Sequence, residues 1–223
     1  MKKMRNLLAL AIIGSVIFVS CNDEDTTKPV VTLRGASDTT IVLNTSWNDP
    51  GAIAEDDEDG VITDIIQVTG DTVNVNLVGI YKLTYSATDA AGNTGTATRT
   101  VRVRNTADGW AGSYSVIDEV EGNQYTYSDI ISYSNRENRY VLVTKFAYYT
   151  GGAVKFKFEN PETVPTDIDL PTQTVKCGNP STPPADRTFS GSGEATIEGS
   201  FYIDYTESTG GTSVTGKETY TKQ

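Results

Sequence analysis

The chain carries 29 Asp and Glu and no histidine, so any chemistry it performs must rest on carboxylates, hydroxyls, amines or its two cysteines. The missing imidazole removes Ser-His-Asp and Cys-His catalysis and every zinc site that needs a histidine. The densest run of carboxylates is Glu55-Asp56-Asp57-Glu58-Asp59-Gly60. Aligned on an EF-hand loop, Glu55, Asp57 and Asp59 take the first three ligand positions and Gly60 the turn. The bidentate glutamate that should close the loop falls on Ile66, and no helical period flanks it. The run therefore reads as a solvated acidic loop, with a calcium-binding loop at the end of a sandwich as the alternative. No metal ligand and no cofactor is assigned. Asp118, Glu119 and Glu121 invite an acid and base pair for glycoside hydrolysis. Neighbours in a strand point to opposite faces, however, so Asp118 and Glu119 cannot share a cleft, and Glu121 falls at a turn. Ser190-Gly191-Ser192-Gly193 lacks the strand-to-helix elbow of a nucleophile turn and reads as a flexible strand start. No catalytic residue is assigned, and the expectation is a protein that is not an enzyme.

Tyrosines carry the remaining signal. Tyr148 and Tyr149 precede Thr150-Gly151-Gly152 at an expected hairpin tip, and Tyr202 faces away from Phe201 on its strand. Exposed tyrosine stacks on sugar rings or grips a protein partner, so Tyr148, Tyr149 and Tyr202 are the candidate ligand-binding residues. The alternative is that they merely cover a barrel end. Trp110, Tyr114, Phe156, Phe158, Phe201 and Tyr205 fall on inward faces and are expected in the core.

The cysteines sit in unlike places. Lys2, Lys3 and Arg5 precede thirteen uncharged residues, Leu7 to Val19, and a small residue, Ser20. That is a signal peptide's layout, too short for a spanning helix of roughly 20 apolar residues. Phe18-Val19-Ser20-Cys21 resembles the bacterial lipobox, which implies cleavage before Cys21 and its acylation. The Asn22-Asp23-Glu24-Asp25 that follows resembles the export signal of Bacteroidota lipoproteins, which implies a lipid-anchored protein on the outer face of the outer membrane. Cys177 is then left unpaired. The competing arrangement is a Cys21–Cys177 disulfide in a simply secreted protein. Removing residues 1–20 takes away three cations and no acid, which lowers the formal net charge from −11 to −14. Such a chain is repelled by phosphate backbones, so nucleic acid is excluded as a partner.

The elements that must position these residues are strands throughout. Tyr81 to Thr88 alternates with Tyr81, Leu83, Tyr85 and Ala87 on one face, and Thr96 to Arg104 returns after a turn at Asp89–Asn93. Val30–Leu33, Thr40–Leu43, Ile65–Val68 and Val73–Val75 bring the count to six or seven strands, a sandwich-sized set. Beyond a loop at 105–109 the texture changes. Residues 28–108 hold only Trp47, Tyr81 and Tyr85 among aromatics, whereas 109–223 hold sixteen. Eight further strands are expected there: Ser113–Val120, Tyr125–Ile131, Tyr140–Phe146, Val154–Phe158, Gln173–Lys176, Glu194–Glu198, Phe201–Tyr205 and Thr215–Thr221. They fit an antiparallel barrel or strongly curved sheet. The fold class is all-β: a signal peptide over 1–20, an acidic tether over 21–28, a β-sandwich over 29–105 and a barrel over 109–223.

Two resemblances sharpen this. Pro29-x-x-x-Leu33-x-Gly35, Trp47-x-Asp49-Pro50-Gly51-Ala52, Asp59-Gly60, Gly79-x-Tyr81-x-x-x-Tyr85, Asp89-x-x-Gly92-Asn93 and Thr100-Val-Arg-Val103 together resemble a bacterial immunoglobulin-like domain related to hyalin-type repeats. This implies an Ig-like sandwich used as a spacer or adhesion module, without catalysis. Trp110-x-Gly112-x-Tyr114, Leu170-Pro171-x-Gln173, Ser190–Gly193 and the Tyr-Thr-Lys ending resemble lipocalin-like C-terminal domains of Bacteroidota lipoproteins, a family with no assigned chemistry. The function expected is a non-enzymatic surface lipoprotein whose C-terminal domain binds a glycan or a protein partner. The alternatives are a carrier of a small apolar ligand and a structural spacer in an outer-membrane complex.

Overall fold

The computed structural model describes residues 24–223. Cys21 and the segment expected to be a signal peptide lie outside the described residues. The first unit is built of seven strands, β1 (Val30–Leu33), β2 (Asp38–Val42), β3 (Ala52–Asp56), β4 (Gly60–Val61), β5 (Gln67–Gly70), β6 (Gly79–Thr88) and β7 (Thr94–Arg104). They form a β1-β3-β4 sheet and a β2-β7-β6-β5 sheet, with β2 parallel to β7. Ala52 from the first sheet meets Leu83, Tyr85 and Val101 from the second, and Val31, Leu33 and Trp47 pack around them.

The signature positions of this sandwich are explained by one buried knot. The Tyr85 hydroxyl donates to Asp49 at 2.6 and 2.7 Å, and the Arg99 guanidinium lies 3.5 Å from Asp49. Arg99 also donates to the carbonyls of Arg34 (2.6 Å) and Gly51 (3.0 Å). It thereby ties the turn around Asp49 to both sheets, and burial of the guanidinium is offset because it is paired and bonded. Burial and the neighbouring Asp49 push the Tyr85 hydroxyl up to about 12. Tyr81 donates to the Leu77 carbonyl four residues upstream at 2.9 Å, a tyrosine-corner arrangement known from Ig-type sandwiches.

The second unit is a closed antiparallel barrel of β8 (Gly112–Val120), β9 (Asn123–Tyr133), β10 (Tyr140–Phe146), β11 (Tyr149–Phe158), β12 (Thr166–Asn179), β13 (Thr182–Ile197), β14 (Ser200–Thr209) and β15 (Thr212–Lys222). β15 closes on β8. Its core is aromatic: Trp110 stacks on Phe158 at 4.5 Å and Phe201 on Tyr220 at 4.4 Å. The Trp-x-Gly-x-Tyr opening has a local cause. Tyr114 donates to the Trp110 carbonyl at 3.0 Å, while Gly112 sits at φ 144° where a Cβ would lie 2.9 Å from Lys222.

The joint between the two units is buried. Asn105, fully buried, donates to the carbonyls of Ser134, Glu137 and Tyr140 and accepts from the Ala107 and Arg139 amides. Asn44 of the sandwich adds bonds to Arg136 and Asn138 of the barrel, and Val78 donates to Asn135 at 3.0 Å. The segment expected as a loop therefore docks the two units onto one another.

Three expectations are corrected. Val73–Val75 is not a strand, because Asn74 bonds the Asn76 amide through its side chain and the Leu77 amide through its carbonyl, which bends the segment. Ser190–Gly193 is no flexible strand start but the interior of the sixteen-residue β13. There Gly191 and Gly193 admit a backbone approach from β14 so close that a Cβ would lie 2.1 Å from the Asp204 carbonyl oxygen and 1.8 Å from that of Tyr202. The acid run is not uniformly solvated, since Asp56 is buried while Glu55, Asp57, Glu58 and Asp59 are exposed.

Candidate functional site

Period-two alternation sorts the barrel interior into two zones. Along β14, Phe201, Ile203, Tyr205 and Glu207 point inward in turn, as do Tyr114, Val116 and Asp118 along β8, and all are buried. The zone beside the sandwich is thus aromatic. The zone beneath the β8–β9, β10–β11, β12–β13 and β14–β15 turns is polar, and holds Asp118, Arg187, Glu207 and Glu218.

These groups are partly satisfied by one another. Arg187 and Glu207 form a buried ion pair, and the Arg187 guanidinium also lies 3.9 Å from the Tyr149 ring centre. Glu218 accepts from the Tyr127 hydroxyl, from the Tyr220 hydroxyl at 2.5 Å and from the Ala147 amide at 2.7 Å. Desolvation nevertheless pushes its carboxyl up to about 8. Burial likewise raises Asp118 to about 6, against the lowering effect of a hydrogen bond from Tyr205, and Glu207 and Glu119 add like-charge repulsion. Asp118 Oδ1 accepts that bond at 2.8 Å, but Asp118 Oδ2 and Arg187 Nε are buried without a partner among the described residues. A buried acceptor left unmade costs about 1–3 kcal/mol.

Over this zone lies a cavity of about 370 Å³ at the barrel mouth, with Asp118, Tyr205 and Glu207 among its deeper residues and Asn123, Asn179 and Ser181 on its rim. Its size is in the range of small-molecule sites. Tyr148 occupies the β10–β11 turn at φ 60° after Ala147 at φ 49°, the positive pair a two-residue hairpin requires. It stacks on Tyr125 at 5.0 Å, and the two rings are 42% and 37% exposed.

Of the three tyrosines singled out from the sequence, Tyr148 and Tyr149 both line this mouth. Tyr149 is half-buried against the core rather than free. Tyr202 is placed elsewhere. It pairs with Glu194 and Thr219 near the sandwich end of the barrel, and its ring lies under the Lys217 ammonium at 3.9 Å. Tyr125, Asp118 and Glu207 also line the mouth, with Arg187 paired to Glu207 behind it, and none of these was picked out as a binding residue. The available signal was charge at inward positions of aromatic strands, as in Phe201-x-Ile203-x-Tyr205-x-Glu207. Cys177 is buried in the barrel core and has no disulfide partner among the described residues.

The geometry suits binding. An aromatic pair stands at the edge of a cavity whose lining offers amides, hydroxyls and carboxylates, the combination that recognises a hydroxyl-rich ligand. The apolar part of the barrel interior is filled by stacked rings.

Residues 31–103 match the family model described as bacterial surface protein, Ig-like domain. No curated protein matches the chain. Among solved structures, the chain is similar to the lipoprotein BT2262 from Bacteroides thetaiotaomicron, with 18% identity over 87% of this chain and 100% of that one and a TM-score of 0.34. It is also similar to a structure of CBM51-2 in complex with GlcNAc and INT domains from Clostridium perfringens ZmpB, with 16% identity over 87% of this chain and 44% of that one and a TM-score of 0.29. At these scores neither likeness bears on what the barrel does. The Ig-like match fits a non-catalytic binding role at a bacterial surface. Over residues 31–103 the chain thus matches an Ig-like domain described from bacterial surface proteins, and the sandwich there is joined to a closed eight-stranded barrel.

Proposed function

We propose that the protein is a non-enzymatic lipoprotein, anchored to the outer membrane through acylated Cys21 and exposed at the cell surface, whose barrel binds a glycan at its mouth. The observation that carries the binding reading is the exposed Tyr125–Tyr148 stack at the rim of a cavity lined by Asn123, Asn179, Asp118 and Glu207. Sugar rings pair an apolar face with hydroxyls that both donate and accept, which matches an aromatic surface ringed by amides and carboxylates. The sandwich then serves to hold the barrel away from the bilayer, and the buried joint at Asn105 fixes the direction in which the mouth faces. Lipid attachment rests on the layout around Cys21.

A glycan array probed with the purified chain, followed by calorimetric titration of any hit, tests the binding. Saturable binding that Tyr148→Ala weakens severalfold, in line with about 0.5–1.5 kcal/mol for an aromatic contact, supports the mouth as the site. No hit, together with capture of a protein partner that Tyr148→Ala abolishes, would move the ligand from glycan to protein. Binding indifferent to Tyr148→Ala and Tyr125→Ala would remove the mouth. Intact mass of the membrane-extracted protein tests the anchor, which a mature mass without a diacyl adduct would overturn.

A further inference from the structure

At the end of the sandwich away from the barrel, three aspartates from separate segments converge. Asp25 precedes β1, Asp56 ends β3 and Asp89 follows β6. Each offers a carboxylate oxygen within 4.8 Å of the other two. Asp56 and Asp89 are 8% and 7% exposed. Their Oδ1 atoms are engaged by backbone amides, Asp56 by Glu58 and Asp59 at 3.0 Å each and Asp89 by Asn93 at 2.7 Å. Their Oδ2 atoms are buried and have no hydrogen-bond partner among the described residues. Two buried carboxylates with bare oxygens beside a third acid form an arrangement that repels itself unless a cation fills it.

The surrounding chain holds the three in place. Asn93 donates to the Asp25 carbonyl at 3.1 Å, and the Ala90 amide donates to Asp59 Oδ2 at 2.7 Å, which ties the Asp56 and Asp89 loops together. Just after Asp25 the backbone crosses β7 at Gly95, where a Cβ would lie 1.8 Å from the Pro29 carbonyl oxygen. Only glycine lets the segment lie there.

We propose that Asp25, Asp56 and Asp89 form a Ca²⁺ site that clamps the N-terminal segment to the sandwich. Hard oxygen donors select Ca²⁺ or Mg²⁺ over transition metals. Ca²⁺ accepts an irregular set of carboxylate oxygens at about 2.3–2.6 Å, whereas Mg²⁺ demands a near-ideal octahedron and gives up its own water reluctantly, so three carboxylates brought together from separate loops favour Ca²⁺. If Cys21 carries the lipid, as read above, the clamp lies only a few residues from the anchor and stiffens the tether between membrane and sandwich. The site itself does not depend on acylation.

The test is titration of the EDTA-treated full chain in detergent with CaCl₂, followed by calorimetry and by thermal unfolding. The expected result is one saturable site with a dissociation constant on the order of 10⁻⁴–10⁻³ M, as in extracellular calcium modules, and a rise in Tm that MgCl₂ does not reproduce at equal concentration. Asp25→Asn removes one of the three mutually repelling charges, so it should hold or raise the Tm in EDTA while weakening Ca²⁺ binding on the order of tenfold. Asp89→Asn should weaken it at least as much. Absence of heat and of a Tm shift at about 10 mM CaCl₂, ten times the weak end of that range, would overturn the proposal. Wild-type affinity in Asp25→Asn would overturn it equally. Neither result touches glycan binding at the barrel mouth.

Discussion

Tyr205 and Asp118 meet inside the barrel at 2.8 Å, hydroxyl to carboxylate, although they stand on β14 and β8 with β15 between them. The bond crosses the interior instead of running along the wall. It marks the level at which the interior changes from aromatic to acidic, and it leaves the second oxygen of Asp118 without a partner beneath the mouth cavity.

Burying these acids ties stability to pH. Asp118 is raised from 3.8 to about 6 and Glu218 from 4.5 to about 8. Between each ordinary value and its raised one, the folded chain holds more protons than the unfolded chain. Their contribution to stability is therefore fully present below about pH 4, falls as pH rises towards about 8 and is lost above it. Urea midpoints across this window should decline. Asp118→Asn should flatten the part below about pH 6, worth on the order of 2 kcal/mol, and Glu218→Gln should flatten the part up to about pH 8. Equal slopes in wild type and both variants would contradict the assignment.

Asn105 is the residue on which the two units turn. Its side chain serves three carbonyls, which share its two N–H protons, and two amides in a fully buried position, and deletion leaves several buried carbonyls and amides unpaired. Asn105→Ala should cost about 2–4 kcal/mol, read as a fall in Tm. Limited proteolysis should show new cleavage between residues 104 and 112, because the joint loses its anchor. Unchanged Tm and cleavage pattern would mean that the joint is held by other contacts.

Gly193 should be irreplaceable, for a reason that Gly109 does not share. A Cβ at Gly193 would lie 1.8 Å from the Tyr202 carbonyl oxygen, whereas nothing lies within 4 Å of one at Gly109. Gly193→Ala must push β13 from β14 and should destabilise by about 1–3 kcal/mol. Gly109→Ala should stay within about 0.5 kcal/mol of wild type. Denaturant midpoints of the two variants, measured side by side, decide the matter.

Local pattern alone determined much of this protein. Alternation in Tyr81–Thr88, Val154–Phe158 and Phe201–Tyr205 specifies strand and inward face, because side chains on a pleated backbone must take opposite sides in turn. The aromatics assigned to the core from that alternation, Trp110, Tyr114, Phe156, Phe158, Phe201 and Tyr205, are all buried. Tyr148 was legible at its hairpin tip because the turn chemistry around it is local. Tertiary structure alone decided which distant residues meet. The Tyr125–Tyr148 stack, the Tyr205–Asp118 bond and the convergence of Asp25, Asp56 and Asp89 each join segments of unlike position in the chain. Barrel closure and sheet packing set such encounters, and a period of two carries no information about them. For the same reason Asp56, one acid in an exposed run, could not be told from its neighbours until the fold buried it.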